Sequence, residues 1–169
     1  MVKTKVAGVV LNSVTGTPIV ILKDDKNRTL PIVIGFFEAQ SILLVLEKVK
    51  LPRPLTHDLL KSIIEELKSE FVRLEITTLK ENTFFARILL EFNGEVKYID
   101  CRPSDGIALA LRFKVPIFVS EELMKETVPP GLSPESTRPI GLEEAERFRK
   151  TLENLKAKDF WKKLKEEKS

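Results

Sequence analysis

Residues 72–113 read VRLEITTLKENTFFARILLEFNGEVKYIDCRPSDGIALALRF, and this stretch decides the fold. Val72, Leu74 and Ile76 alternate with Arg73, Glu75 and Thr77, the period-2 pattern of a half-buried strand. Phe84, Ala86, Ile88, Leu90 and Phe92 form a second alternating run. Asn93-Gly94 follows, a pair suited to a two-residue hairpin turn because both positions tolerate positive φ. Residues 95–100 then give a third strand. A helix is expected from about Pro103 to Phe113, since proline's fixed φ and missing N–H suit a first helical turn, and Pro116 prevents its continuation. Ile117-Phe118-Val119 reads as a short extra strand. Ser120-Glu121-Glu122 opens a small helix with an acidic first turn.

Shifting the chain by 67 residues lays its first half on this pattern without a gap. Lys5–Val10 falls on Val72–Thr77, Pro18–Leu22 on Phe85–Leu89, and Glu38–Ile42 on Asp105–Leu109. Strands are therefore expected near 3–11, 17–23 and 29–34, then a helix from about Phe36 to Val49. Leu51-Pro52-Arg53-Pro54 makes a rigid turn, after which Thr56 caps a second helix running to about Glu70. The reading is an α+β protein: a duplicated β-β-β-α-α unit forming one curved, mostly antiparallel sheet with packed helices. The domain spans 1–125, with repeats about 3–69 and 70–125. A Pro-rich linker occupies 126–140. Beyond it, Leu142, Ala145, Phe148, Leu152 and Leu155 step by three or four, which predicts a charged amphipathic helix over 141–169. Such a stripe packs on its own domain or on a sister subunit, so a homo-oligomer, with a dimer favoured, is expected.

Composition narrows the function classes. The 169 residues are 43% hydrophobic and 31% charged, which suits a globular core rather than disorder. The N-terminus turns polar too quickly for a secretory signal, no run is long enough to cross a bilayer, and a lone cysteine, Cys101, forbids an internal disulfide. Together these point to a cytoplasmic protein with no membrane partner. One glutamine, Gln40, stands among many Lys and Glu, a bias of heat-adapted proteins. The net charge is only +3, so a nucleic-acid partner is permitted, and phosphate binding would have to be local.

Three junctions between elements concentrate charge beside apolar runs: Gly35–Ala39, Arg53–Asp58 and Asp100–Asp105. Glu38 and Asp105 each fall in a first helical turn, where a carboxylate offsets the helix dipole; related corners could also bring the two together around a divalent cation. His57, the one histidine, is a surface residue, a general base or a metal ligand. Asp58 beside it serves the helix start or a metal. Arg53 and Arg102 flank prolines and are either salt-bridge partners or phosphate clamps. Cys101 reads as a small apolar residue, Ser104 as part of a helix start. No Walker loop, GxGxxG or zinc spacing occurs.

The stretches Arg53-Pro54-Leu55-Thr56-His57-Asp58-Leu59-Leu60 and Asp100-Cys101-Arg102-Pro103-Ser104-Asp105-Gly106-Ile107-Ala108-Leu109-Ala110 resemble the two signature stretches of the bifunctional nuclease domain family. Pro31–Gly35 followed by Glu38-Ala39 resembles its first stretch. The likeness spans about residues 3–125, and Cys101 and Gly106 stand where relatives commonly carry alanine. The resemblance implies a self-associating domain that cleaves both DNA and RNA. Under that reading Glu38, Asp58, Asp100 and Asp105 would bind Mg²⁺ or Mn²⁺. His57, with Glu38 and Asp105, would do the chemistry, and Arg53 and Arg102 would hold the phosphate. The alternative is a non-catalytic nucleic-acid- or ligand-binding or assembly module using the same charged groups. The weak net charge and the lack of an aromatic-plus-basic stretch favour it.

Overall fold

The computed structural model describes residues 1–125 and 137–139. Three strands, β1 (Val2–Asn12), β2 (Pro18–Asp24) and β3 (Thr29–Val33), lead into helix α1 (Phe36–Leu46) and then α2 (Thr56–Glu66). Three more, β4 (Glu70–Lys80), β5 (Thr83–Phe92) and β6 (Glu95–Cys101), lead into α3 (Pro103–Phe113), followed by β7 (Ile117–Val119) and α4 (Glu121–Lys125). The expected α+β class holds. Shifted by 67 residues, Phe36–Leu46 falls on Pro103–Phe113, and β1 to β3 fall within two residues of β4 to β6. The halves part after α3, where β7 precedes the short α4.

The strands form an open sheet in the order β3-β2-β1-β7-β4-β5-β6. Every neighbouring pair is antiparallel except β4 and β7. Strand β7 bridges the halves, setting Ile117 opposite both Thr4 of β1 and Leu74 of β4. A further strand, β8 (Thr137–Pro139), pairs with Val10–Asn12 of β1. These three residues were expected in the 126–140 linker; backbone pairing takes them into the sheet, and the compact unit runs to Pro139. The predicted helix over 141–169 lies outside the described residues.

Helix α3 is central. It packs against α1, α2, β4 and β5, and Ile107 and Ala108 are fully buried with Leu74, Ile76, Leu22 and Ile42. The hairpin predicted at Asn93-Gly94 has positive φ at both residues, as a type I′ turn requires. Asp24 is buried and closes the β2–β3 turn by accepting from the Lys26 and Arg28 amides and the Arg28 guanidinium.

Two expectations change. Glu75, placed by alternation on the solvent face, is buried: the Arg73 and Arg87 guanidinium groups donate to its two oxygens at 2.8 and 2.7 Å. Burial alone would raise its pKa, but these two arginines more than offset that and hold it below the ordinary glutamate value. Thr56 is the first residue of α2, not its cap. Asp58 serves the helix start instead, its Oδ2 accepting the Leu55 amide at 2.9 Å.

Candidate active site

Two strand-to-helix corners and the start of α2 meet at one cavity of about 720 Å³. Glu38 comes from the first turn of α1, His57 from that of α2, and Asp105 from that of α3, with Arg102 as the α3 N-cap. These four, whose positions lie up to 67 residues apart, form one hydrogen-bonded chain. Arg102 Nη1 lies 2.9 Å from Glu38 Oε1. Its Nε donates to Asp105 Oδ2 at 2.7 Å and its Nη2 to Oδ1 at 3.1 Å. His57 Nε2 lies 3.2 Å from Asp105 Oδ1, and His57 Nδ1 lies 2.8 Å from Ser41 Oγ. Asp105 is thus gripped by a guanidinium fork and an imidazole, and both ring nitrogens of His57 are held.

Exposure differs along this chain. The side chains of His57, Glu38 and Asp105 are 12%, 18% and 26% exposed, against 66% for Arg102. The guanidinium is therefore the outermost group. Its hydrogen bond and charge contact with Asp105, then the Glu38 charge, raise its pKa and keep it protonated. Solvent-exposed ion pairs are worth about 0–1 kcal/mol, so an arriving anion can compete for it.

Gly35 makes room for the Glu38 carboxylate. A β-carbon there would stand 2.2 Å from Glu38 Oε2. Asp58, expected among the acids of the site, faces the other way: Arg112 Nε donates to its Oδ1 at 2.7 Å. Burial works to raise the Asp58 pKa, but the Arg112 and Leu55 hydrogen bonds prevail and lower it. Arg112 also donates to the backbone oxygens of Ser41 and Ala108, tying α1, α2 and α3 together behind His57. Ser41 and Arg112 were missed by sequence reasoning. Apart from Ala108, one helical turn before Arg112, their partners lie 16 to 71 residues away.

Asp100 lies on β6 opposite Arg87, and Arg53 is exposed in the turn before α2. Neither joins the chain. Among the described residues no group of three or more His, Cys, Asp or Glu is arranged to hold a metal ion. The four carboxylates expected as ligands do not fit that role as a set: two share Arg102, one faces Arg112 and one stands apart. Cys101 is half-buried, and burial first, then the charges of Asp105 and Asp100, push its thiol up to about 12. A thiol so shifted is protonated at neutral pH, which makes it a weak nucleophile.

The rest of the cavity is apolar, walled by side chains such as Leu60, Ile64, Ile88, Leu90 and Ile99. No helix among the described residues is long and apolar enough to cross a membrane.

Comparison with known proteins agrees with the signature stretches. The family model of the bifunctional nuclease domain matches residues 20–130. An uncharacterized protein of Mycobacterium tuberculosis is 34% identical over 164 residues, covering 95% of this chain and 98% of its own length. Bifunctional nuclease 1 of Arabidopsis thaliana is 31% identical over 113 residues, 63% of this chain and 34% of the plant protein. Bifunctional nuclease 1 of Oryza sativa subsp. japonica is 29% identical over 105 residues, 60% of this chain and 32% of the plant protein. The chain thus spans about a third of each plant relative. With the matched region enclosing Glu38, His57, Arg102 and Asp105, this chain belongs to the bifunctional nuclease domain family.

Proposed function

We propose that the Glu38–Arg102–Asp105–His57 site hydrolyses phosphodiester bonds of DNA and RNA. The observation that carries the reading is the outward guanidinium of Arg102, spanning two carboxylates beside a fixed histidine. A backbone phosphate takes over the planar donor fork of Arg102. Glu38, released from that ion pair, accepts a proton from the attacking water. His57, its ring oriented by Ser41 at Nδ1, gives its Nε2 proton to the leaving oxygen as that oxygen takes the place of Asp105 at Nε2. Contacts to phosphate rather than to the 2′-hydroxyl account for acceptance of both nucleic acids. That the plant relatives are bifunctional nucleases supports the same class of substrate.

The test is cleavage of plasmid DNA and single-stranded RNA by tag-free protein. His57→Ala should reduce the rate by about 10²–10⁴-fold, the usual contribution of a general acid or base, and Glu38→Gln and Asp105→Asn should also lower it. Undiminished cleavage by all three variants means that the activity arises elsewhere. In this reaction protons pass only between these side chains, water and substrate. Calorimetric titration of the free protein with Mg²⁺ or Mn²⁺ is expected to show no saturable site in the micromolar range. A stoichiometric micromolar site lost in Glu38→Gln would restore the metal reading.

A second reading, assembly of copies of the chain, is favoured by one feature. Leu59, Ile63 and Leu67, spaced by four along and just past α2, are 54%, 44% and 59% exposed, an apolar stripe with no partner among the described residues. Light scattering of wild type and Leu59→Lys checks it: an oligomer should dissociate in the variant, and a monomeric wild type would exclude it.

A further inference from the structure

The phosphate site occupies only one wall of the cavity. The cavity as a whole, about 720 Å³, lies within the range of about 300–1,000 Å³ of small-ligand sites; its other walls are mostly apolar, and hydrolysis of a phosphodiester has no use for them. One polar atom is left over just behind these walls. Gln40, which follows Glu38 by two on α1 and lines the same cavity, has a buried side-chain Nε2 with no hydrogen-bond partner. Buried donors are ordinarily satisfied, and leaving one unmade costs about 1–3 kcal/mol. An orphan amide beside an apolar wall next to an anion-binding arginine is a site that awaits a flat, mostly apolar group carrying hydrogen-bonding edges and attached to a phosphate.

We infer that the cavity takes a single unstacked nucleobase, its adjoining phosphate on Arg102 and its edge on the Gln40 amide. This rests on the phosphodiesterase reading and adds to it a substrate class, single-stranded or locally unpaired nucleic acid. A base can enter only when it leaves its stack, and extrusion from a duplex costs a few kcal/mol. Apolar contact with Leu60, Ile64 and Ile99 is indifferent to base identity. The amide donor meets an acceptor that every base presents on some edge, so the pocket selects for a base rather than for a particular one.

Binding separates this from the parent reading without any turnover. The full chain is titrated with adenosine 5′-monophosphate and with ribose 5-phosphate, and amide chemical shifts are followed by NMR. The nucleotide should bind at least about ten-fold more tightly, through the apolar surface its base buries. Gln40→Ala should weaken the nucleotide by about three- to ten-fold, the worth of one hydrogen bond, and leave ribose 5-phosphate unchanged. Leu60→Trp fills the cavity from its half-exposed rim, a place that tolerates change, and should weaken the nucleotide alone. Arg102→Ala should weaken both ligands. Equal affinity for the two ligands, or nucleotide binding untouched by both Gln40→Ala and Leu60→Trp, would overturn the base pocket and leave the phosphate site standing. Loss of neither ligand in Arg102→Ala would overturn the phosphate site itself.

Discussion

The two corners that build the site occupy corresponding positions 67 residues apart, Gly35–Glu38 before α1 and Arg102–Asp105 before α3. Each places a carboxylate in a first helical turn, and each helix has 11 residues. They differ in the residue just before the helix. Gly35 contributes no side chain, and the Glu38 carboxylate lies where its β-carbon would be. Arg102 contributes a guanidinium that reaches the acids of both corners. The same contrast continues inward: Ser41 bonds His57, whereas its counterpart Ala108 offers only a backbone oxygen to Arg112. The lesson is that matched backbones become a site through unmatched side chains, one corner supplying space and the other charge.

Making the second corner resemble the first should have the largest effect. Arg102→Gly leaves Glu38 and Asp105 facing each other without a cation, and nucleic-acid cleavage should fall at least about 10²-fold, as when one transition-state donor is lost. Circular dichroism should show the fold intact. The converse change, Gly35→Ala, pushes the Glu38 carboxylate off its seat and should lower the rate less, with phosphate affinity retained.

A second contrast lies one residue further in. Ala39 corresponds to Gly106, and Ala7 to Leu74. A β-carbon on Gly106 would stand 2.4 Å from Leu74 Cδ1 and 3.1 Å from Cys101 Sγ. The glycine and the sulfur, both departures from the alanines expected of relatives, share one space. Gly106→Ala should cost about 1–3 kcal/mol by overpacking. Adding Cys101→Ala should recover part of it, a coupling that urea denaturation of the four-variant cycle measures. Strict additivity would mean that the two positions are independent.

The smallest effect concerns pH. Asp58 has a folded pKa below its ordinary value near 3.8, so its pairing with Arg112 stabilises the fold fully above that value. The contribution is lost as pH falls from there through the lower folded value. Melting temperature should drop as pH falls below about 4, and Asp58→Asn should be less stable at neutrality and flatter over the acid range. A variant as pH-sensitive as wild type would put the acid response elsewhere, Glu75 being the next candidate.

The elements themselves could be read from the chain because their signals are local. Alternation through β4 and β5, Asn93-Gly94 and Pro103 each act within a few residues, and the α3 limits agree with the expectation. Glu75 defeated the alternation because its face is closed by arginines from two strands. Strand β4 also carries two register shifts that no periodicity announces. In the site, Glu38, His57, Arg102 and Asp105 were legible as charged residues at junctions. Asp58 was misassigned because its partner Arg112 lies 54 residues away, and Ser41 looked like one more small residue on an apolar helix.

The central claim is that a backbone phosphate displaces the carboxylates of Arg102. The direct measurement follows the Arg102 Nε–H resonance by ¹⁵N NMR while a non-hydrolysable dinucleotide is titrated into the full chain. The account predicts a saturable shift of that resonance, accompanied by shifts of the His57 ring and absent when Arg102 is lysine. A resonance that stays fixed while the dinucleotide binds would contradict it.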